Sequence, residues 1–188
     1  MGWKDFFGFG KKDKEADKET DNITNISLSS IKPGYFLDYD LKTWEVTARH
    51  HYDWGDSDLS YEWQLKSHDE TIYLSRESDD QVDWTVARPI SFLKLGSHIR
   101  KHIEEHEDPP DEIEFESIKY YLAESGGGHF FKDGTGPGQA FISWDYEDES
   151  GKKYLSIEQW GEDEFEASAG QLVEEYQFTN ILPGKNTA

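Results

Sequence analysis

Tyr61-Glu-Trp-Gln-Leu65, Tyr73-Leu-Ser-Arg-Glu77 and Asp83-Trp84 stand in sequence as three short runs separated by the polar breaks Ser67-His-Asp-Glu70 and Glu77-Ser-Asp-Asp80. In the first run aromatic and aliphatic residues alternate with polar ones, the period of a strand that buries one face. A second set follows at a constant offset of 81: Ile142-Ser-Trp-Asp-Tyr146, Tyr154-Leu-Ser-Ile-Glu158 and Glu164-Phe165. Trp63 meets Trp144, Tyr73 meets Tyr154, Glu77 meets Glu158 and Trp84 meets Phe165. Residues 35–46 and 120–131 match less closely, at an offset of 85. The pattern is that of one β-rich unit used twice.

Outward from these runs the same alternation continues. Strands are expected at 35–39, 43–48, 59–66, 71–76 and 82–87, then at 114–124, 129–132, 140–146, 153–159, 164–169 and 175–182. Turn signals every 8–12 residues or so favour meanders or small barrels over βαβ units. The fold class is therefore all-β, mainly strand with one short helix. It consists of tandem pseudo-duplicated antiparallel sheets or small barrels behind a disordered N-terminal tail. The divisions are residues 1–30 as tail, 31–95 as the first β repeat, 96–112 as a helical connector and 113–188 as the second, the two repeats forming one compact unit.

Composition supports a folded chain. Ile, Leu and Val together number 28, and so do Trp, Tyr and Phe. Aromatic side chains bury about 150–250 Å² each, so few of them build a core. The formal charge is −21, and the first 22 residues account for only −1 of it. The acidic part is the folded body, which argues against nucleic acid or anionic lipid over a large face and for a basic protein partner or a cationic small molecule. Cys is absent, which excludes disulfides and thiolate chemistry. With no run long enough to span a bilayer and no continuous apolar stretch in the first 22 residues, the expected compartment is the cytoplasm. Trp3, Phe6 and Phe7, followed by Lys11, Lys12 and Lys14, outline a weak interfacial anchor that would allow peripheral contact at the inner membrane. Gly2, Gly8 and Gly10 weaken any helix there.

Four features invite a chemical reading. His98, His102 and His106 recur at every fourth residue and would line one face of a helix, where imidazoles can share a metal. His102-Ile-Glu-Glu-His106 satisfies the inverted zinc-peptidase pattern, but a polar helix ending at Pro109-Pro110 offers no dry cleft, and a solvated connector is the plainer reading. Gly126-Gly-Gly128 and Gly134-Thr-Gly-Pro-Gly138 lack the helix start that a phosphate loop needs and read as hairpin turns. Carboxylate pairs are too common in this chain to signal acid–base work. The last feature is aromatics interleaved with acids. Trp54, Trp144, Tyr146, Glu158 and Trp160 form the candidate ligand site, since a ring face beside a carboxylate suits a cation. Ordinary strand alternation accounts for the same pattern. No catalytic constellation and no cofactor site emerge, so the chain is expected to be a non-enzyme.

Gly34-Tyr-Phe-Leu37, Trp44-Glu-Val46, Tyr61-Glu-Trp-Gln-Leu65, Tyr120-Tyr-Leu-Ala-Glu124 and Tyr154-Leu-Ser-Ile-Glu-Gln-Trp-Gly161 together resemble a bacterial family known as domain of unknown function 4178, over about residues 31–183. The resemblance implies an accessory role, since such genes tend to lie near polyamine-synthesis, small membrane-protein and envelope-stress genes. It supplies no catalytic residues. The resulting expectation is a non-catalytic binding or adaptor protein whose acidic body meets a basic partner. The alternatives are a polyamine- or metal-responsive sensor and an uncharacterised enzyme, the last requiring a deep pocket that joins acids from both halves.

Overall fold

In the computed structural model, residues 26–78 and 82–184 are described. Most of the expected tail, with Trp3, Phe6 and Phe7, lies outside them. Eleven strands form one antiparallel sheet: β1 (Phe36–Tyr39), β2 (Lys42–Gly55), β3 (Asp58–Lys66), β4 (Thr71–Ser78), β5 (Val82–Ile90), β6 (Glu112–Phe115), β7 (Ile118–Phe131), β8 (Gln139–Asp148), β9 (Lys153–Gln159), β10 (Phe165–Val173) and β11 (Thr179–Leu182). The single helix among the described residues, α1 (Ser97–His106), follows β5.

The strand order is β11-β1-β2-β3-β4-β5-β10-β9-β8-β7-β6, with a further pairing of β2 to β7. That pairing joins the two ends of the run from β2 to β7, so eight strands close into a ring. The meanders β1–β5 and β6–β10 thus share one sheet rather than forming two separate ones. In each meander a short strand leads into a long one, and β6 follows the place of β1 as β7 follows that of β2. The segments that match in place are therefore 36–39 with 112–115, not the 35–46 and 120–131 paired by sequence.

Each meander packs its own core. Leu37, Trp44, Val46, Trp63, Leu65, Ile72, Leu74, Trp84 and Val86 fill the first, covered by Leu28, Ile31 and Phe178. Trp144, Tyr146, Leu155 and Ile157 fill the second, covered by Phe92, Ile99, Ile103 and Ile113. Helix α1 buries Ile99 and Ile103 at the four-residue spacing that places both on one face. It is a lid on the second core, not only a solvated connector. The glycines Gly126, Gly127 and Gly128 lie inside β7 rather than in a hairpin turn. The reason is spatial: a Cβ on Gly128 would sit 2.8 Å from the Asp53 carbonyl oxygen and 3.3 Å from the rings of Trp54 and Phe141.

Candidate functional site

The residues that face into the ring follow from the pairing. Trp63, Leu65, Ile72 and Leu74 point to the first core, so their neighbours Glu62, Gln64, Tyr73, Ser75 and Glu77 point the other way. In β9 and β10 the same alternation turns Tyr154, Ser156, Glu158, Glu166 and Ser168 inward, and in β8 Ser143 and Asp145. Strand β2 changes side partway. An extra residue between Val46 and Ala48 breaks its pairing with β3, the two-against-one arrangement of a β-bulge. Before the bulge Val46 lies opposite Leu65 on the core face; after it Ala48, His50 and Tyr52 lie opposite Gln64, Glu62 and Ser60 on the inner face. A bulge between Leu122 and Glu124 does the same in β7.

The inner face encloses a cleft of about 1120 Å³ lined by residues of both meanders, among them His50, Tyr52, Glu62, Glu158, Trp160 and Glu166. At one side an aromatic wall forms. Tyr52 stacks with Trp54 at 5.9 Å between centroids and meets Phe130 at 5.0 Å, while Phe141 and Phe130 both contact Trp160, at 5.0 and 5.4 Å. Trp54 Nε1 donates to Ser60 Oγ at 3.0 Å, which fixes its plane. His50 is 5% exposed and its Nδ1 accepts the Asp133 backbone N–H at 2.9 Å. That bond leaves Nε2 to carry the proton of the neutral ring, the form favoured because burial lowers the His50 pKa.

Carboxyls from both meanders share this space. Burial, reinforced by Glu166, pushes Glu62 up to about 7, although the Tyr52 hydroxyl, 3.4 Å from Oε2, works the other way. Burial also pushes Glu158 up to about 8, with Glu62, Asp145 and Glu166 adding repulsion. Trp160 Nε1 lies beside Glu158 and pulls slightly downward, yet it is buried without a hydrogen bond of normal geometry. Glu77 and Asp145 are raised for the same first reason, burial. Among the described residues, no lysine or arginine forms an ion pair with Glu62, Glu77, Asp145, Glu158 or Glu166. Arg100, at the mouth, is engaged with Asp163 at 3.4 Å.

Of the residues chosen from sequence, Trp54, Glu158 and Trp160 meet on this inner face. Trp144 and Tyr146 do not. They are 2% and 0% exposed in the second core, where Trp144 Nε1 donates to Asp108 Oδ1 at 2.9 Å and the Tyr146 hydroxyl to the Pro110 carbonyl at 3.0 Å. The alternation that buries them is what turns Asp145, between them, toward the inner face of the ring. His102 and His106 have ring centroids 4.4 Å apart, and His102 Nδ1 is 2.8 Å from the Asp108 carbonyl oxygen. Among the described residues no three His, Asp or Glu side chains converge as a metal site. Glu62 and His50 line the site without standing out in the sequence, and Tyr52 enters it beside Trp54, in the aromatic–acid run Tyr52-Asp-Trp54. The available signal was Glu62 itself, an acid held between Tyr61 and Trp63 in the most regular strand of the chain.

Fold and site together define a class: a mostly antiparallel β protein in which two meanders close around an acidic, aromatic-walled cleft. The chain belongs to the family described as domain of unknown function DUF4178, whose model matches residues 32–175. It is similar to an uncharacterized protein of Aquifex aeolicus (strain VF5), 28% identical over 175 residues, which covers 90% of this chain and 93% of that protein. No solved structure matches. Among the described residues no helix is long and apolar enough to cross a membrane.

Proposed function

We propose that the protein is a non-catalytic binding protein that takes an organic cation of the polyamine class into the cleft. The observation that carries this reading is the set of inward carboxyls, Glu62 from the first meander and Glu158 and Glu166 from the second, with no lysine or arginine among the described residues ion-paired to them. An ammonium group would supply the missing charge, and the rings of Tyr52 and Trp160 offer it faces for cation–π contact. A binding role of this kind fits the accessory function that the family resemblance implies in an envelope-stress or polyamine-linked system. Cytoplasmic residence and a weak membrane contact through Trp3, Phe6 and Phe7 belong to the same proposal.

Titration calorimetry with spermidine, a monoamine and a lysine-rich peptide tests it. Spermidine is expected to bind, and Glu62→Gln and Glu158→Gln to weaken it by about tenfold each, equivalent to about 1.4 kcal/mol. Added salt weakens it further. Binding of the peptide alone, unaffected by either substitution, would move the partner from the cleft to the outer surface. Failure of all three cations to bind ends the proposal.

One observation favours a second reading. The cleft joins acids of both meanders, and two of them titrate near neutrality, the property of acid–base catalysts. Mass spectrometry of the amine after incubation separates the readings: an altered amine makes the protein an enzyme, an unchanged one a binder.

A further inference from the structure

Like charges directly opposite one another on a sheet are destabilising, and the inner face holds several. Glu158 of β9 is the direct partner of Glu166 of β10, Asp145 of β8 that of Glu124 of β7, and Glu77 of β4 that of Asp83 of β5. Across the ring, Glu62 and Glu166 repel Glu158, and Asp145 and Glu124 repel Glu77. Glu62 and Glu158, half-buried and with no lysine or arginine ion-paired to them among the described residues, cannot both ionise cheaply beside Glu166. Hydrogen bonds relieve the inner-face carboxyls only in part, Ser143 and Ser156 serving Asp145 and the Tyr52 hydroxyl Glu62. From β2, His50 is neutral and Tyr52 only donates a hydrogen bond. From β9, the Trp160 N–H makes no bond of normal geometry. Lys132 lines the same cleft near His50, whose pKa it lowers, and Asp133 opposes it there. At the mouth, Arg100 is held by Asp163, with Glu164 beside it.

We infer that the ligand-free cleft stores protons on Glu62 and Glu158, which face each other across it, and that an entering cation displaces them. This rests on the binding reading and adds its regulation. In the exchange, an ammonium group keeps its own protons and pairs with a carboxyl that gives its proton to water, so one positive charge enters as one leaves. Affinity is then set by pH as well as by amine concentration, with loading favoured in alkaline surroundings and release in acid ones. The carboxyl values of about 7 and 8 put the change in the neutral range.

Two measurements on the full chain test it. Infrared spectra of the ligand-free protein are expected to show a protonated-carboxyl band at pH 7 that disappears by about pH 9, more than two units above the reference carboxylate range, and that shrinks in Glu158→Gln and in Glu62→Gln. Calorimetry with spermidine, run at pH 7 in buffers of different ionisation enthalpy, is expected to report release of about one proton per spermidine, falling toward none by about pH 9 as the carboxyls empty. A band already lost below about pH 6, near the ordinary carboxylate range, or binding without proton release, overturns the exchange and leaves the binding reading intact. If no amine binds at all, both fall together.

Discussion

At the scale of single residues the acids of the cleft set the pH response. Glu62 and Glu158 ionise near about pH 4.3 in an unfolded chain and near about 7 and 8 in the folded one. Their folded pKa values are raised, so the stability they contribute is complete below the unfolded value and is lost as pH climbs through 7 and 8. The ligand-free protein should therefore melt at a lower temperature at pH 8.5 than at pH 6, and Glu158→Gln should flatten that slope and melt higher at the alkaline end. Thermal denaturation across this window, wild type against variant, measures both. Asp38, Asp69 and Asp148 act with the opposite sign, because hydrogen bonds lower their pKa values, but they are exposed and matter only below about pH 4. Gly128→Ala tests the closeness of β2 and β7. Its Cβ would meet backbone at 2.8 Å, and a cost of about 1–3 kcal/mol in chemical denaturation is expected. What sequence offered at this scale was partial. Glu158 and Trp160 were readable as neighbours, but Trp144 looked identical to a ligand-facing tryptophan, because alternation gives the period and not which face is the core.

Among elements, the bulged strands decide most of the site and were the least legible part of it. In β2 the burial of Trp44, Val46, Ala48 and His50 at every second residue reads as one uninterrupted buried face. The extra residue at Thr47 divides it, with Trp44 and Val46 in the first core and His50 and Tyr52 in the cleft. A period-2 pattern carries no mark of such a division, since the count of residues stays even across it. The hairpin strands β3–β5 and β8–β10 were legible because nothing interrupts their alternation apart from turns. Trp63 anchors the first set: it is 1% exposed and its Nε1 donates to the Ile31 carbonyl at 3.0 Å. Trp63→Ala is expected to cost about 3–5 kcal/mol in denaturant unfolding. Asp108→Ala removes only the acceptor of Trp144 and should cost about 1–3 kcal/mol by leaving a buried N–H unpaired.

For the molecule as a whole, the antiparallel β class and the single helix were readable from turn spacing and from the proline pair after α1. Closure was not. The contact between β2 and β7 depends on two bulged strands, one relieved by Gly128, meeting 76 to 80 residues apart in sequence, and no local pattern encodes that. The ring's two junctions between meanders are unequal. β5 and β10 share seven residue pairs, from Ala167 with Ile90 to Val173 with Trp84, whereas β2 and β7 share three, His51 with Phe131, Tyr52 with Phe130 and Asp53 with His129. Amide hydrogen exchange should accordingly be faster at residues 51–53 and 129–131 than along β5 and β10, and equal protection at both junctions would contradict this.

Mechanically, a loop fastened by seven pairs on one side and three on the other is a clasp, with β5–β10 as its spine and β2–β7 as its catch. The rings nearest the catch, Tyr52 and Phe130, are also part of the wall against which a guest would rest, so under the proposed binding a guest is expected to hold the fastening shut. Because the chain has no cysteine of its own, a pair introduced at His51 and Phe131, direct partners about 4.5–5.5 Å apart at Cα in such a ladder, would form a single unambiguous bolt. Oxidised, that variant should trap or exclude spermidine on the timescale of dialysis; reduced, it should exchange it freely. A guest that comes and goes equally well through the bolted form would mean that traffic uses the mouth beside Arg100, and that the catch never opens.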